Sequence, residues 1–390
     1  MLTKLASHNA DIQRLVDKGY AVRIDGPHLV VRDIPYLDAN RQLQRGAFVA
    51  KLVHIDKVRV QQDDHQVYFA GGVPYGLDGQ PIPNLAGGAT TIALRKTDVV
   101  VQRSFSNKPP NGFPDFFAKI EHYVTVISGP AMELHGATPL TKRIDADAVE
   151  GSVFKYPDTL TSRAEIADLA ALLANDVVAV IGLGGTGGYV LDLLVKSPVK
   201  AIRGFDGDAY HVHNAYRSPG QLDDSDLGLG KTEVFERRYE SFRKGLSLHR
   251  KYIDRSCAED FSGVTFSFVC VDKGSARAEI FDLLISLNIP FIDVGMGLDR
   301  KQGGLSGQVR TTYYAPETAA AVRDKQLAPL SDDADDIYRK NVQIAELNAL
   351  NACYAVIRFK QLRGFYADGS GAYNLLTDIA NLETFSETDL

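Results

Sequence analysis

A glycine-rich segment that follows a short apolar run places the strongest constraint on the fold of this 390-residue chain. Residues Val177 to Ile181 are all apolar, and Gly182 to Gly187 (GLGGTG) come directly after them. Such a run is typical of a strand buried on both faces of a parallel sheet. Glycines permit a tight turn and close approach to phosphate, and the helix that follows would offer unpaired N–H groups. We therefore predict a nucleotide-binding loop with contacts from Gly182, Gly184, Gly185 and Thr186.

Strand and helix patterns alternate through the second region of the chain, residues 151–390. The capping-box sequence Ser162 to Glu165 predicts the start of a helix before the glycine loop. Apolar runs and helical spacing then predict strands at residues 201–205, 252–253, 264–271 and 291–294, and helices at residues 231–245, 276–287 and 342–359. This alternation predicts an α/β fold with a Rossmann-like, doubly wound and mostly parallel sheet.

Residues 1–150 have a different character, with short strand patterns joined by turn signals. Val22 and Ile24, the turn Asp25-Gly26 and the run Leu29 to Val31 are typical of a β-hairpin. A helix is predicted from Pro114 to Ser128, ended by Gly129-Pro130. We expect an α+β domain, with further strands at residues 47–49, 58–60, 67–69 and 99–101 and a loop at residues 71–88.

Composition excludes several classes of protein. The net charge of −6 gives no electrostatic case for binding nucleic acid or an anionic membrane. Three cysteines without a Cys-x-x-Cys pair exclude a disulfide scaffold and predict that zinc is absent. The N-terminal segment lacks the apolar stretch of a signal peptide, and no apolar run of about 18 residues occurs. We expect a soluble, cytoplasmic protein.

Polar residues after the glycine loop identify the nucleotide. Asp206 stands 24 residues after Gly182, where a carboxylate can accept hydrogen bonds from a ribose. The loop and Asp206 fit an NAD-dependent oxidoreductase as well as an enzyme that uses ATP. The next residues favour ATP, because a triphosphate needs cations and carboxylate-held Mg²⁺ to neutralise its charge. These residues are Asp208, Asn214, Arg217, Lys231 and Asp272. Taken singly, such residues are commonly solvated surface groups or, for Asp272, a helix cap.

This ordered set resembles the ThiF/MoeB-like superfamily, which includes the ubiquitin-activating enzymes. The resemblance covers about residues 160–360 and is carried by the glycine loop, Asp206-x-Asp208, Asn214-x-x-Arg217, Lys231, Val271-Asp272 with Arg277, Asp293-Val294-Gly295 and Gly307-Gln308-Val309. It implies an adenylyltransferase that uses ATP and Mg²⁺. Such an enzyme adenylates the C-terminal glycine carboxylate of a ubiquitin-like or sulfur-carrier protein and releases pyrophosphate.

The resemblance also implies a role for each matching residue. Asp206 would hold the ribose, while Asp208 and Asp272 would hold Mg²⁺. The phosphates would be contacted by Asn214, Arg217 and Lys231. Arg217, Lys231 and Asp272 are therefore the expected catalytic residues, and a homodimer is expected because most relatives work as dimers.

The chain departs from ubiquitin-activating enzymes at the position of their catalytic cysteine. The equivalent stretch, residues 311–341, contains no cysteine and is interpreted as a mobile polar loop with Ser331 and an acidic run at residues 332–336. The sequence predicts that Cys270 and Cys353 are buried and that Cys257 is exposed. An acyl intermediate on Cys257, on Cys353 or on a serine such as Ser306 or Ser331 is left open. The favoured interpretation is that the product passes to a separate conjugating enzyme or acyl acceptor.

The N-terminal domain and the alternative functions complete the predictions. The segment Ser106 to Gly112 and the loop at residues 71–88 are similar to proteins encoded with bacterial ubiquitin-like systems. They suggest a degenerate ubiquitin-conjugating-like domain that recognises a partner. The alternatives to adenylation are an NAD-dependent oxidoreductase, which leaves Arg217, Lys231 and Asp272 without a task, and a non-catalytic scaffold with a nucleotide-binding fold.

Overall fold

The computed structural model describes residues 2–85, 87–144, 149–301, 303–332 and 342–389. The chain divides into two compact units, one of Met1–Gly151 and Tyr156–Glu165, the other of Ser152–Lys155 and Ile166–Leu390. None of the helices in these described segments has the length and apolar character needed to cross a bilayer.

The first unit is an antiparallel sheet with helices. Its elements are α1 (Leu2–His8), α2 (Ala10–Lys18), β1 (Ala21–Asp25), β2 (His28–Leu37), β3 (Leu43–His54), β4 (Val60–Gln62), β5 (Val67–Ala70), β6 (Arg103–Phe105), α3 (Phe116–His135) and α4 (Thr159–Arg163). The strands pair in the order β1-β2-β3-β5-β6, and β4 pairs with β3. The predicted hairpin is β1 and β2. The strand predicted at residues 99–101 was wrong, because the strand in this part of the chain is β6.

Helix α3 continues past the residues that were predicted to end it. The Asp115 side chain caps its N-terminus by accepting a hydrogen bond from the Ala118 N–H, and Gly136 ends it with a φ of 61°. Pro130 lies inside the helix and removes one backbone donor. The buried face, which includes Ile120 and Ile127, packs into the core of the unit and offsets this loss.

Helix α3 also buries a lysine whose charge carries a pH-dependent cost. Lys119 is 1% exposed, and its ammonium donates to the backbone oxygen of Asp64 at 2.7 Å. Burial lowers the pKa of Lys119 from its usual 10.5 to about 8. The folded state therefore binds fewer protons than the unfolded state between these values, and the Lys119 contribution to stability rises with pH in that window.

The Lys119→Met variant tests this cost. The difference between the free energy of unfolding of the native protein and that of the variant is expected to shift in favour of the native protein as pH rises from 8 to 10.5. The shift should reach as much as about 3 kcal/mol. Urea unfolding followed by circular dichroism between pH 7 and pH 10 measures most of this change. A difference that stays constant across these pH values contradicts the prediction.

The second unit is a doubly wound α/β fold with an antiparallel extension. Its elements are α5 (Ala167–Ala171), β7 (Val177–Ile181), α6 (Gly185–Val195), β8 (Ala201–Phe205), α7 (Val212–Ala215), α8 (Lys231–Tyr239), β9 (Leu246–His249), β10 (Phe266–Val269), α9 (Gly274–Ser286), β11 (Phe291–Lys301), β12 (Gly304–Tyr314), α10 (Ala319–Asp324), α11 (Ala345–Leu362), β13 (Asn374–Asp378) and β14 (Glu383–Glu387). The strands are ordered β14-β13-β12-β11-β10-β7-β8-β9, and the five neighbouring strands β11, β10, β7, β8 and β9 are parallel. The predicted fold class is confirmed.

Two separate cores cover the two faces of the parallel strands. Val178 and Val180 face one core together with residues of α6 and α11, and Ala179 and Ile181 face the other together with residues of α9. This alternation explains why β7 is apolar at every position. Because β10, β7 and β8 pair in parallel, their carboxyl ends lie side by side, which is where α/β sheets bind ligands.

Two local predictions in this region were wrong. The expected capping box at Ser162 does not start a helix, because α4 already begins after its N-cap Asp158. The positive φ of Glu165 (55°) then separates α4 from α5. The strand expected at Tyr252-Ile253 is instead β9, which ends at His249. Tyr252 is 69% exposed, so its side chain does not pack in the core of the sheet.

Candidate functional site

A cavity of about 980 Å³ opens at the carboxyl ends of the parallel strands. The sequence predicted ten contact residues, and nine of them line this cavity. These are Gly182, Gly184, Gly185, Thr186, Asp206, Asp208, Arg217, Lys231 and Asp272. Glycine loop, carboxylates and cations thus reach one space from five separate segments of the chain.

The glycine loop turns sharply from β7 into α6. Gly182 has a φ of 88°, and a Cβ at this position would lie 2.7 Å from the backbone oxygen of Cys270. A side chain is therefore excluded by both conformation and space. Gly184 has no atom within 4 Å of its would-be Cβ, and it lines the cavity. The loop thus presents bare backbone and the N-terminus of α6 to any ligand.

Two aspartates after β8 are joined by one buried lysine. The Lys231 ammonium donates to Asp206 Oδ2 at 3.2 Å and to Asp208 Oδ2 at 2.7 Å. Asp206 also accepts from the backbone N–H groups of Leu183 and Asp208, so it ties the glycine loop to β8. This network fixes Lys231 and both carboxylates at the edge of the cavity.

Asp208 is held ionised in this network. Burial opposes ionisation of its carboxyl, but hydrogen bonds from Lys231 and Tyr252 outweigh burial and hold the pKa of Asp208 below its ordinary value. The Tyr252 hydroxyl donates to Asp208 Oδ1 at 2.5 Å, and this bond raises the pKa of Tyr252. Sequence reasoning missed Tyr252, and its position beyond β9 gave no signal.

Arg217 provides a cation that the described residues do not use. Its Nε atom is buried and has no hydrogen-bond partner among them, although the residue lines the cavity. Buried polar groups in native proteins are normally satisfied. An unsatisfied guanidinium nitrogen beside a glycine loop suits an anionic ligand such as a phosphate.

Asn214 and Asp272 occupy different surroundings. Asn214 is not among the cavity-lining residues, because its side chain accepts a hydrogen bond from the His211 N–H at 2.8 Å and holds the start of α7. The predicted contact of Asn214 with phosphate stays a prediction. Asp272 is an exposed residue that lines the cavity just after β10.

Comparison with protein-family models matches residues 162–359, just over half of the chain, to the ThiF family. The chain belongs to the ThiF family. Residues 10–159, which precede the ThiF domain, match a domain of unknown function, DUF6791. Comparison with curated proteins gave no match.

Comparison with solved structures gives further, weaker similarities. E. coli MccB with succinimide is 17% identical, with a TM-score of 0.43, over 56% of this chain and 66% of that one. PaaA is 18% identical, with a TM-score of 0.45, over 59% and 80% of the two chains. E. coli MccB with ATP is 17% identical, with a TM-score of 0.42, over 56% and 66%. The chain spans slightly less than two thirds of these two MccB chains.

Asn348 was missed from the sequence, and it joins α11 of the ThiF domain to the glycine loop. It is 1% exposed, accepts from the Thr186 hydroxyl at 2.8 Å, and donates to the backbone oxygen of Arg217 at 3.3 Å. A Cβ on Gly185 would lie 2.2 Å from its Nδ2 atom. Gly185 therefore permits the close approach of α11. The only sequence signal was an asparagine at a buried helix position, where it is a poor helix former.

The contact between Gly185 and Asn348 predicts an interaction between two substitutions. Gly185→Ala is expected to cost about 1–3 kcal/mol of stability through overpacking, and Asn348→Ala about 1 kcal/mol through the lost hydrogen bonds. The double variant should cost at least about 1 kcal/mol less than the sum, because the smaller residue makes room for the methyl group. Urea unfolding of the four proteins measures this. The control cycle uses Gly184→Ala, because a Cβ at this position would have no atom within 4 Å. Its effect on stability should therefore add to that of Asn348→Ala.

Three charged residues form a second network at the cavity wall of the ThiF domain. Asp293 is fully buried and accepts hydrogen bonds from Arg277 Nε at 3.0 Å and from Arg310. Two arginines on one carboxylate leave a net positive charge, and both arginines line the cavity. Asp293 and Arg277 carried part of the family resemblance, but Arg310 was missed because it lies inside an ordinary strand pattern.

The cysteines differ from the sequence predictions. Cys257 is 4% exposed and not, as predicted, accessible, because it packs into the core formed with α9. Cys353, predicted to be buried, is exposed on α11. Cys270 lines the cavity, and burial raises the pKa of its thiol. A raised pKa disfavours the reactive thiolate at neutral pH.

The stretch equivalent to the catalytic-cysteine region is more ordered than predicted. Residues 311–314 belong to β12 and residues 319–324 form α10, so the prediction of a mobile loop was wrong for these parts. Ser306 lines the cavity, and Ser331 is exposed. Of the acidic run, residues 333–336 lie outside the described residues.

Proposed function

We propose that the protein uses ATP to adenylate the C-terminal carboxylate of a ubiquitin-like or sulfur-carrier protein and releases pyrophosphate. The observation that carries the proposal is the meeting of the glycine loop, Lys231, Arg217 and the carboxylates Asp208 and Asp272 in one cavity of a ThiF-family domain. A nicotinamide dinucleotide would use the loop and Asp206. It would leave the unsatisfied Arg217 without a task.

The cations suit transfer of AMP from a triphosphate. The α-phosphate develops charge as the substrate carboxylate attacks it and the pyrophosphate departs. Arg217 and Lys231 would neutralise that charge, and the N–H groups at the start of α6 would orient the phosphates. The attacking group is already an anion, so the reaction needs alignment rather than a general base.

The carboxylates suit a magnesium ion that is bound together with the nucleotide. Mg²⁺ is usually held by one or two protein carboxylates plus phosphate oxygens and water. Asp208 and Asp272 would supply the two carboxylates. The ion would supply further charge neutralisation.

The acyl acceptor and the assembly follow from the same proposal. The described part of the region equivalent to the catalytic-cysteine segment contains no cysteine, and Cys270 is kept protonated by burial. We therefore assign the next step to a separate conjugating enzyme or acyl acceptor. A role of the N-terminal region, residues 1–150, in recognising a partner remains a prediction, as do the homodimer and a link to a bacterial ubiquitin-like system.

ATP–pyrophosphate exchange tests the proposed function. Small proteins that end in glycine and are encoded beside this gene are the candidate substrates. We expect exchange with one of them, and we expect it to disappear when the terminal glycine is removed. Binding of NAD without binding of ATP would instead identify an oxidoreductase. Failure to bind either nucleotide would identify a scaffold.

A further inference from the structure

A second cluster of polar side chains lies in the first unit, apart from the adenylation chemistry proposed above. Helix α3 directs three of them, Lys119, His122 and Tyr123, toward the segments before β5 and after β6. Their targets are residues 64–65 and 105–107. The cluster therefore joins two loops that are about 40 residues apart in the sequence.

At the centre of the cluster a serine contacts a histidine. The distance between His65 Nε2 and Ser106 Oγ is 2.8 Å, and both residues are partly exposed. When the imidazole carries its proton on Nδ1, Nε2 accepts the hydrogen bond from the hydroxyl. This is the arrangement in which a histidine can take the proton of an attacking serine.

The backbone on both sides of this pair is fixed. The Tyr123 hydroxyl, which is fully buried, lies 3.1 Å from the backbone oxygen of His65 and 3.2 Å from that of Phe105. It also accepts a hydrogen bond from the Asn107 N–H at 2.9 Å. One side chain thus holds both the residue His65 and the neighbours of Ser106.

Further polar groups hold the flanking residues. Asn107 contacts His122 Nε2 through its Oδ1 atom at 2.7 Å and donates to the backbone oxygen of Asn84 at 2.9 Å. Lys119 holds the backbone oxygen of Asp64, at the cost of burying an ammonium group. Several buried hydrogen bonds thus fix two loops, an arrangement that is typical of a preorganised functional site.

We propose that Ser106 is a nucleophile that accepts an acyl group from an activated ester, with His65 as its general base. Ser106 Oγ forms a bond to the carbonyl carbon while its proton moves to His65 Nε2. The bond to the leaving alcohol then breaks, and the alcohol takes that proton. Water releases the acyl group from Ser106 by the same path. Lys119, His122 and Tyr123 act as positioning residues.

A fluorophosphonate probe tests the proposal on the full chain without ATP, so its outcome is independent of the adenylation reaction. We expect a covalent adduct on Ser106, located by peptide mass spectrometry. The adduct should be absent in Ser106→Ala and should form at least about tenfold more slowly in His65→Gln. Ser7→Ala is the matched control, because Ser7 Oγ also lies 3.0 Å from a histidine nitrogen, that of His8, but on a short surface helix. No adduct on Ser106, or an equal rate in His65→Gln, would overturn the proposal.

A second variant guards against loss of folding in His65→Gln. Ser106→Cys keeps the histidine and introduces a thiol beside it. Iodoacetamide at pH 7 should alkylate this thiol at least about tenfold faster than the exposed Cys353 of the same molecule, because a neighbouring imidazole favours the thiolate. Equal or slower alkylation would count against His65 as a base.

Discussion

Asp272→Ala is expected to lower ATP–pyrophosphate exchange by about 1000-fold or more while the fold is retained. The side chain is exposed and makes no hydrogen bond within the described residues, so its removal costs little stability. Its proposed task is to hold Mg²⁺ against the phosphates, and loss of such charge stabilisation is worth several kcal/mol in the transition state. Exchange with the substrate protein and thermal unfolding by circular dichroism measure the two effects.

ATP binding separates a metal ligand from a general electrostatic effect. In the native protein, Mg²⁺ should strengthen ATP binding, and this gain should largely disappear in Asp272→Ala. Binding measured in EDTA should be nearly unchanged. Asp168→Ala is the matched control, because Asp168 is also an exposed aspartate but does not line the cavity. Unchanged exchange in Asp272→Ala would contradict the proposed role of Asp272 as a Mg²⁺ ligand.

The parallel strands could be predicted because burial on both faces leaves an unbroken apolar run. Strand β7 shows this pattern at every position, whereas Arg203 interrupts it in β8 and Ser267 interrupts it in β10. The ends of elements were less predictable, because they depend on single residues. Two such features are the positive φ of Glu165 and the packing that allows α3 to continue past Pro130. Both depend on the folded chain, and no local sequence pattern predicts them.

The same distinction applies to the site. Asp206 follows β8 directly, and Asp208 and Asp272 come a few residues after the ends of β8 and β10, so sheet topology brings all three to one edge. Asn348 and Arg310 reach the cavity region only because α11 and β12 pack where they do. Asn214 differs from these residues. Its position in the sequence matches the family pattern, but its side chain accepts a hydrogen bond from the His211 N–H at the start of α7.

Lys231→Met is expected to weaken ATP binding by about 100-fold. The ammonium now bridges Asp206 and Asp208, and with ATP present it would share its charge with the phosphates. Loss of a charge-assisted hydrogen bond costs about 1.5–3 kcal/mol, and unopposed carboxylates would also repel the triphosphate. Isothermal titration calorimetry with ATP and Mg²⁺ measures the change.

The bridging geometry makes this prediction specific to one lysine. Lys196→Met is the matched control, because Lys196 is an exposed lysine at the end of α6 that pairs with Asp192 of that helix, outside the cavity. It removes the same charge and should leave ATP affinity unchanged, which excludes an effect of net charge alone. An affinity in Lys231→Met that equals the native value would show that the lysine serves only to neutralise Asp206 and Asp208 in the folded protein.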